Sequence, residues 1–466
     1  MAHSAKDPPS REPEAAPAAA DAPSTATGEN PASLDSPERP DQLAEMPRRA
    51  VLASVQLPDC DDLAFRESLD ELGRLAKTLG LTVEGELTQR RGSFDSGAYL
   101  GPGKLQDLKT LVRSRDVPTV VLLDHEVSPS QARNIQTETG AHTVLDRTAL
   151  ILEIFHRHAR SRQAKLQVEL VRLAYMAPRL RENQKGGDRQ RGGIGGKGAG
   201  ESMIELDRRK LRDRLAELRA ELDALETEHK TRSARRQGLR RVALCGYTNA
   251  GKSTLFRALT GSEPYIADKL FATLDTTVRT LVPEPRQRVL VSDTIGFIRN
   301  LPTKLVASFK TTLDEALEAS LILHVVDAAD PACERHIATT SGVLAEIGAG
   351  EVPQLYVFNK VDKLPDQALP AGLAERFPQH IAVSARDPGD VARLHQAVVD
   401  FFDQDLTEAE LLVPYDRSQL RGRIYQSARV LSEKYDEAGT RFLVRIDPIQ
   451  LQQLAREVQV IAGKKE

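Results

Sequence analysis

Two stretches of this 466-residue chain set glycines beside a lysine, the combination that cradles phosphates: "GYTNAGKST", residues 246–254, and "GDRQRGGIGGKGAGES", residues 187–202. The first begins Gly246-Tyr247-Thr248-Asn249-Ala250-Gly251-Lys252-Ser253 and fits the phosphate-loop pattern G-x-x-x-x-G-K-[ST]. Its glycines let backbone N–H groups converge on phosphate oxygens without a Cβ in the way. Lys252 then reaches the β and γ oxygens, and the Ser253 hydroxyl is placed to ligate Mg2+. Such a loop must follow a strand and open a helix, and "RVALCGY" and "TLFRALTG" read that way. The other stretch fails the test. Arg191 stands where the first glycine belongs, Gly198 where Ser or Thr belongs, and no strand precedes it.

Further motifs select the nucleotide. "VLVSDTIG" ends a strand in Asp293-Thr294-Ile295-Gly296, where Asp293 would hold a Mg2+-bound water and the Gly296 N–H would meet a γ-phosphate. "LYVFNKVD" ends in Asn359-Lys360-Val361-Asp362. The Asp362 carboxylate can accept from guanine N1–H and its 2-amino group; adenine offers neither, so ATP would leave that carboxylate unpaired. The Lys360 stem can pack over the base, and "IAVSAR" supplies Ser384-Ala385-Arg386, with backbone N–H groups for guanine O6. Between the first two motifs lies Phe271-Ala272-Thr273-Leu274-Asp275. Here Thr273 is the expected γ-phosphate sensor and second Mg2+ hydroxyl, with Thr276 and Thr277 as competitors. In this order the motifs imply a domain, about 239–403, that binds GTP and GDP with Mg2+ as cofactor. Phe297 follows Gly296 where Ras-like GTPases carry a water-orienting glutamine. An aromatic ring cannot polarise water, so no catalytic side chain is assigned. Hydrolysis is then either slow in isolation or completed by another group.

Elements must hold these residues in place. From Val51, "VLASVQL", "LTVEGELTQ", "TVVLLDH" and "AHTVLD" read as strands alternating with helical stretches, the pattern of βαβ units and a parallel sheet. The fold expected is α/β, in five parts. Residues 1–48 form a disordered acidic, Pro/Ala-rich tail, and 49–147 a parallel α/β domain. Residues 148–238 form a basic helical hairpin. The nucleotide domain spans 239–403, and 404–466 form a small α+β appendage. A single long helix is read over 148–180. Beyond the glycine stretch, Leu211, Leu215, Leu218, Leu222 and Leu225 form a coiled-coil seam, which folds the hairpin back on itself with the glycines at its tip. In the appendage, residues 411–415 and 440–447 are expected as strands, 417–435 as one helix, and a short helix follows.

Formal net charge is only -3, yet residues 157–241 hold 23 Lys/Arg against 12 Asp/Glu. That imbalance predicts an anionic partner for the hairpin, with Arg189, Arg191 and Lys197 at its tip contacting RNA phosphates. Tyr175 stands at helical spacing with Leu166, Leu170 and Leu173 and is expected to pack rather than stack on RNA. Cys60, Cys245 and Cys333 lie far apart, which fits a reducing compartment. No apolar run is long enough to span a bilayer, and the N-terminus carries no signal-peptide core.

The chain resembles the HflX family of ribosome-associated translational GTPases over roughly residues 51–410. The resemblance rests on "ESLDELGRLAKTLG", "YLGPGKLQDL", "VVLLDHEVSPSQARNIQ", "VLDRTALILEIFHRHARSRQAKLQVELVRLAYMAPRL", "GGIGGKGAGES", "GYTNAGKSTLF", "FATLDTT", "DTIGFIRNLP" and "NKVD". It implies an N-terminal α/β domain, a helical linker with a glycine-rich loop, and a GTPase domain that carries a hydrophobic residue after the D-x-x-G glycine, as Phe297 is here. It also implies binding to the large (50S) ribosomal subunit and its rRNA, with roles in splitting, recycling or assembling ribosomes. A cytoplasmic monomer is expected, with peripheral membrane association left open. The family loop usually reads close to GGGIGTRGPGET. Here Lys197, Ala199 and Ser202 replace its Arg, Pro and Thr, so a bidentate arginine contact is lost and the tip gains freedom. The competing reading is an RNA-binding or RNA-remodelling protein with the nucleotide domain as its regulator.

Overall fold

Strands β1 (Arg49–Gln56) and β3 (Thr119–Leu123) carry almost unbroken apolar runs and are buried on both faces, as the inner strands of a parallel sheet must be. The computed structural model describes residues 48–464 except 115–117, 184–202, 235–239, 263–269, 272, 275, 286–287, 300–309, 405 and 447. The tail expected over 1–48 therefore lies, up to residue 47, outside the described residues, as do Ala272, Asp275 and the hairpin tip with Arg189, Arg191 and Lys197.

The first sheet has the order β2–β1–β3–β4, with β2 at Thr82–Arg90 and β4 at Thr143–Asp146, and every pairing is parallel. Helices α1 (Asp62–Thr78), α2 (Pro102–Arg113) and α3 (Pro129–Thr139) connect its strands. Local chemistry starts them: the Asp61 carboxylate accepts from the Ala64 N–H, and Ser128 with Gln131 forms a capping box ahead of α3.

The helix expected over 148–180 is two helices, α4 (Arg147–His158) and α5 (Arg162–Asn183). Ala159 turns to extended backbone and the Ser161 hydroxyl accepts from the Ala164 N–H, so a cap restarts the helix in a new direction. Helix α6 (Met203–Ala234) returns along α5. Leu166, Leu218 and Leu222 are buried between them, with Leu170, Leu173 and Leu225 packed alongside. Ion pairs Arg214–Glu169 at 3.0 Å and Arg162–Glu221 at 2.9 Å fix the antiparallel register, although exposed pairs add little stability. Tyr175 is half-buried, and its hydroxyl donates to Asp146, the N-cap of α4, at 2.6 Å.

The second sheet has the order β10–β9–β8–β5–β7–β6. Its strands are β5 (Arg240–Gly246), β6 (Thr277–Thr280), β7 (Val289–Asp293), β8 (Leu321–Asp327), β9 (Gln354–Asn359) and β10 (His380–Val383), with only β6 antiparallel. Helices α7 (Lys252–Thr260), α8 (Lys310–Leu317), α9 (Cys333–Ile347), α10 (Ala371–Arg376) and α11 (Pro388–Gln404) accompany it. Val242, Leu244, Val291, Leu323 and Val357 centre its core, with Leu255, Phe256 and Val398 closing over them.

The C-terminal sheet, β12–β13–β11–β14, corrects the expected helix over 417–435. Strand β11 is Thr407–Val413, α12 only Leu420–Ser427, β12 Ala428–Asp436, β13 Gly439–Ile446, α13 Pro448–Leu454 and β14 Gln459–Lys464. Ile424, Ala428, Leu431 and Tyr435 stand at helical spacing, but Ile424 and Ala428 are buried while Leu431 and Tyr435 are exposed, so the stripe does not pack as one face. Antiparallel pairing of β12 with β13 through a tight turn at Gly439 wins instead. Strand β14, not foreseen, completes the edge beside β11.

Candidate nucleotide site

The loop between β5 and α7 is the centre of the site, and its own backbone shows why the glycines are there. Gly251 sits at φ +98, and a Cβ there would overlap the Asn359 amide nitrogen. A methyl at Gly296 would lie 3.0 Å from Lys252 Nζ and 2.9 Å from Thr248 Cγ2, so the D-x-x-G glycine abuts the phosphate loop directly. Lys252 is buried, and its ammonium donates to the Gly246 carbonyl at 3.1 Å and the Tyr247 carbonyl at 2.8 Å. Burial pushes its pKa down to about 8, against the pull of Asp293.

Three hard oxygen donors converge beside it. Ser253 Oγ donates to Asp293 Oδ2 at 2.7 Å, Thr273 Oγ1 donates to the same oxygen at 3.0 Å, and the two hydroxyls are 2.9 Å apart. The hydroxyl of Thr273 thus meets Ser253 and Asp293, while Thr277 opens β6. Asp293 Oδ1 is buried with no hydrogen-bond partner among the described residues, and burial raises the carboxyl pKa. An oxygen-only donor set with an orphaned carboxylate oxygen fits a small hard cation such as Mg2+. Among the described residues no group of three or more His, Cys, Asp or Glu is placed to hold a metal ion. A cation here would therefore lean on hydroxyls, water and substrate oxygens, as Mg2+ characteristically does.

Asn359, at the end of β9, is a bridge. Its Nδ2 donates to the Ala250 carbonyl at 2.9 Å, and its Oδ1 accepts from the Ala385 N–H at 3.0 Å. Lys360, in left-handed backbone, donates to the Asn249 carbonyl at 2.6 Å and to Asp327 at 2.7 Å. Asp362 is exposed beside them, and Val361 is buried beneath. The N–H groups of Ser384 and Ala385, expected at guanine O6, meet Asp390 at 2.7 Å and Asn359 at 3.0 Å within the protein. The Arg386 N–H turns to Ser384 Oγ at 3.3 Å.

The side chains of other expected site residues pack within the fold. Thr294 Oγ1 donates to the Leu244 carbonyl at 2.8 Å, and Ile295 and Leu274 are buried. Phe271 turns its ring edge-on to Phe155 of α4 at 4.6 Å, and its carbonyl meets His158 Nδ1 at 2.8 Å, so its side chain faces α4. Phe297 is 1% exposed; its ring is in the core, and its backbone pairs with the phosphate loop through Thr248 N–H at 2.7 Å and Gly246 O at 3.1 Å. Sequence reasoning missed Asp327 and Asp390. A carboxylate ending the strand "LILHVVD" was a usable signal for the first; the second, in the first turn of α11, offered none.

Models of three protein families match the chain in succession: a GTP-binding GTPase N-terminal region at residues 66–156, a GTP-binding GTPase middle region at 158–236, and a 50S ribosome-binding GTPase domain at 241–360. The GTPase HflX of Gluconacetobacter diazotrophicus is 51% identical over 445 residues, covering 88% of this chain and 97% of that one. The GTPase HflX of Escherichia coli is 37% identical over 413 residues, covering 88% and 96%. Among solved structures, a GTP-binding protein from Sulfolobus solfataricus in complex with GDP is 23% identical, with a TM-score of 0.43, covering 75% of this chain and 99% of that one.

Proposed function

We propose, from the premise that this chain belongs to the HflX family of GTPases, that residues 246–253, 293–296, 359–362 and 384–386 bind GTP and GDP, and that the protein is a GTP-driven switch acting on the large ribosomal subunit. The protein is a GTPase. The observation that carries the site assignment is the meeting of Lys252, Ser253, Thr273 and Asp293 around one loop, with Gly296 against the lysine.

In this reading Lys252 supplies the charge for the β and γ phosphate oxygens, and the Gly296 N–H meets the γ-phosphate. Asp362 reads the guanine edge, while Asn359 and Lys360 hold the phosphate loop and the base loops together. The hydroxyls of Ser253 and Thr273, with Asp293 through water, would hold Mg2+, which neutralises charge on the β and γ phosphates when bound. Phe297 lies in the core, so its side chain orients no water. A partner is therefore needed to complete the hydrolytic machinery.

The ribosomal assignment is supported by the excess of Lys and Arg in the hairpin and by the family model matched at 241–360. We read the protein as a cytoplasmic monomer. Among the described residues no helix is long and apolar enough to cross a membrane. Single-turnover hydrolysis of GTP, with and without purified large subunits, tests the proposal. Turnover alone should be slow, on the order of 10⁻⁴ to 10⁻² s⁻¹, and should rise by orders of magnitude with subunits. Fast hydrolysis that subunits leave unchanged overturns it.

A further inference from the structure

Strands β8 and β9 end side by side: Asp327 and Asn359 are register partners, and the Ala328 N–H donates to the Asn359 carbonyl at 2.9 Å. One residue further, Lys360 enters left-handed backbone at φ 66, where residues other than glycine are uncommon. Asn249, in the phosphate loop, is left-handed too, at φ 61. Such conformations cost free energy and persist only where the surrounding structure holds them.

One ammonium ties the two strained residues together. Lys360 Nζ donates to the Asn249 carbonyl at 2.6 Å and to Asp327 Oδ2 at 2.7 Å. The other oxygen of that carboxylate, Oδ1, accepts from the Ala329 N–H at 3.1 Å. Asp327 is therefore fixed by its own turn while it faces the lysine. Each side chain of the pair is 18% exposed, so the charges meet largely out of water, where their attraction is screened less than at an open surface. A lysine side chain carries much rotamer freedom, and pinning its head removes that freedom before a ligand arrives. Asp327 itself lies outside every segment assigned above to the nucleotide.

We propose that Asp327 is a positioning residue for the retention of guanine nucleotide: its carboxylate holds the Lys360 ammonium against the Asn249 carbonyl, so that the lysine stem is set for the base and the base loop stays tied to the phosphate loop. The inference rests on the assignment of residues 246–253 and 359–362 to GTP and GDP. It adds to that site a carboxylate that acts on the nucleotide only through another side chain.

Asp327→Asn keeps an acceptor for the Ala329 N–H and removes the charge that faces Lys360. Full-length protein is loaded with a fluorescent GDP analogue and chased with excess GDP. This variant should release the label roughly fivefold faster than the parent. Lys360→Met keeps an apolar stem without the ammonium and should release it faster still, by about tenfold or more. The double variant decides the route. With no ammonium left to hold, Asp327→Asn should change the rate of Lys360→Met by no more than about twofold, whereas a purely structural Asp327 adds its roughly fivefold effect in either background. Asp327→Ser, whose hydroxyl still accepts from an N–H, takes its place in the same cycle if Asp327→Asn does not fold. A parent that retains no GDP overturns the nucleotide-site reading itself. With a parent that retains GDP, release at the parent's rate by either single variant overturns the brace. So does an effect of Asp327→Asn that persists undiminished beside Lys360→Met.

Discussion

Replacing Asn359 with alanine tests whether this side chain works as a latch between loops. Its two hydrogen bonds, 2.9 Å to the Ala250 carbonyl and 3.0 Å from the Ala385 N–H, are both to backbone, and Asn359 and Ala250 are each 1% exposed. Truncation leaves one carbonyl and one N–H without their protein partner. Each orphaned group costs about 1–3 kcal/mol when water cannot replace the bond. Ala385 is only half-buried, so water recovers part of its share. A loss of roughly 2–3 kcal/mol in loop ordering follows, which corresponds to GDP and GTP affinities falling together by about 30- to 150-fold. The guanine edge is read by Asp362, so the ratio of guanine to xanthine nucleotide affinity should stay as it is. Fluorescent GDP, GTP and XDP analogues titrated against parent and Asn359→Ala give all three numbers. GDP affinity within about twofold of the parent would refute the latch. A loss confined to GTP, or a shifted guanine-to-xanthine ratio, would mean that Asn359 touches the nucleotide itself.

Asp362→Asn should weaken GTP and gain XTP, because the 2-oxo group of xanthine accepts from an amide; unchanged GTP affinity with no gain for XTP removes Asp362 from the base site. Ser253→Ala deletes one of the three oxygens that meet near Asp293, so hydrolysis should need about tenfold more Mg2+ for half-maximal rate, and an unshifted Mg2+ titration counts against the cation site. His324, buried in β8, has its pKa lowered to about 4 by burial, opposed by its contact with Gln354. The unfolded chain then takes up this proton first, so stability is fully present above pH 6.5 and falls between pH 6.5 and 4, by on the order of 3 kcal/mol. Urea melts of parent and His324→Leu across that window check it: the parent should lose more than the variant, and equal losses refute the assignment.

The nucleotide loop was legible in the chain because its signal is local. Gly246, Gly251, Lys252 and Ser253 are near neighbours, and strand and helix periodicity flank them. The parallel first sheet was legible for the same reason, since buried strands such as "TVVLL" read as apolar whatever surrounds them. Five decisions needed tertiary structure. The Thr273 hydroxyl was brought to Ser253 and Asp293 by the fold, a proximity that no spacing rule supplies. The Ala385 N–H was given to Asn359 by loops 26 residues apart. Phe297 was absent as a catalytic residue in the sequence, but only packing showed that its ring lies in the core. Residues 428–436 had helical apolar spacing and became strand β12, because their backbone pairs antiparallel with β13 over its whole length. Tyr247 and Glu71 are 176 residues apart, and their contact exists only because two separate sheets dock. Local pattern records what a segment prefers by itself; which polar groups find each other across the fold depends on closure of distant chain, and that information is spread over the whole core.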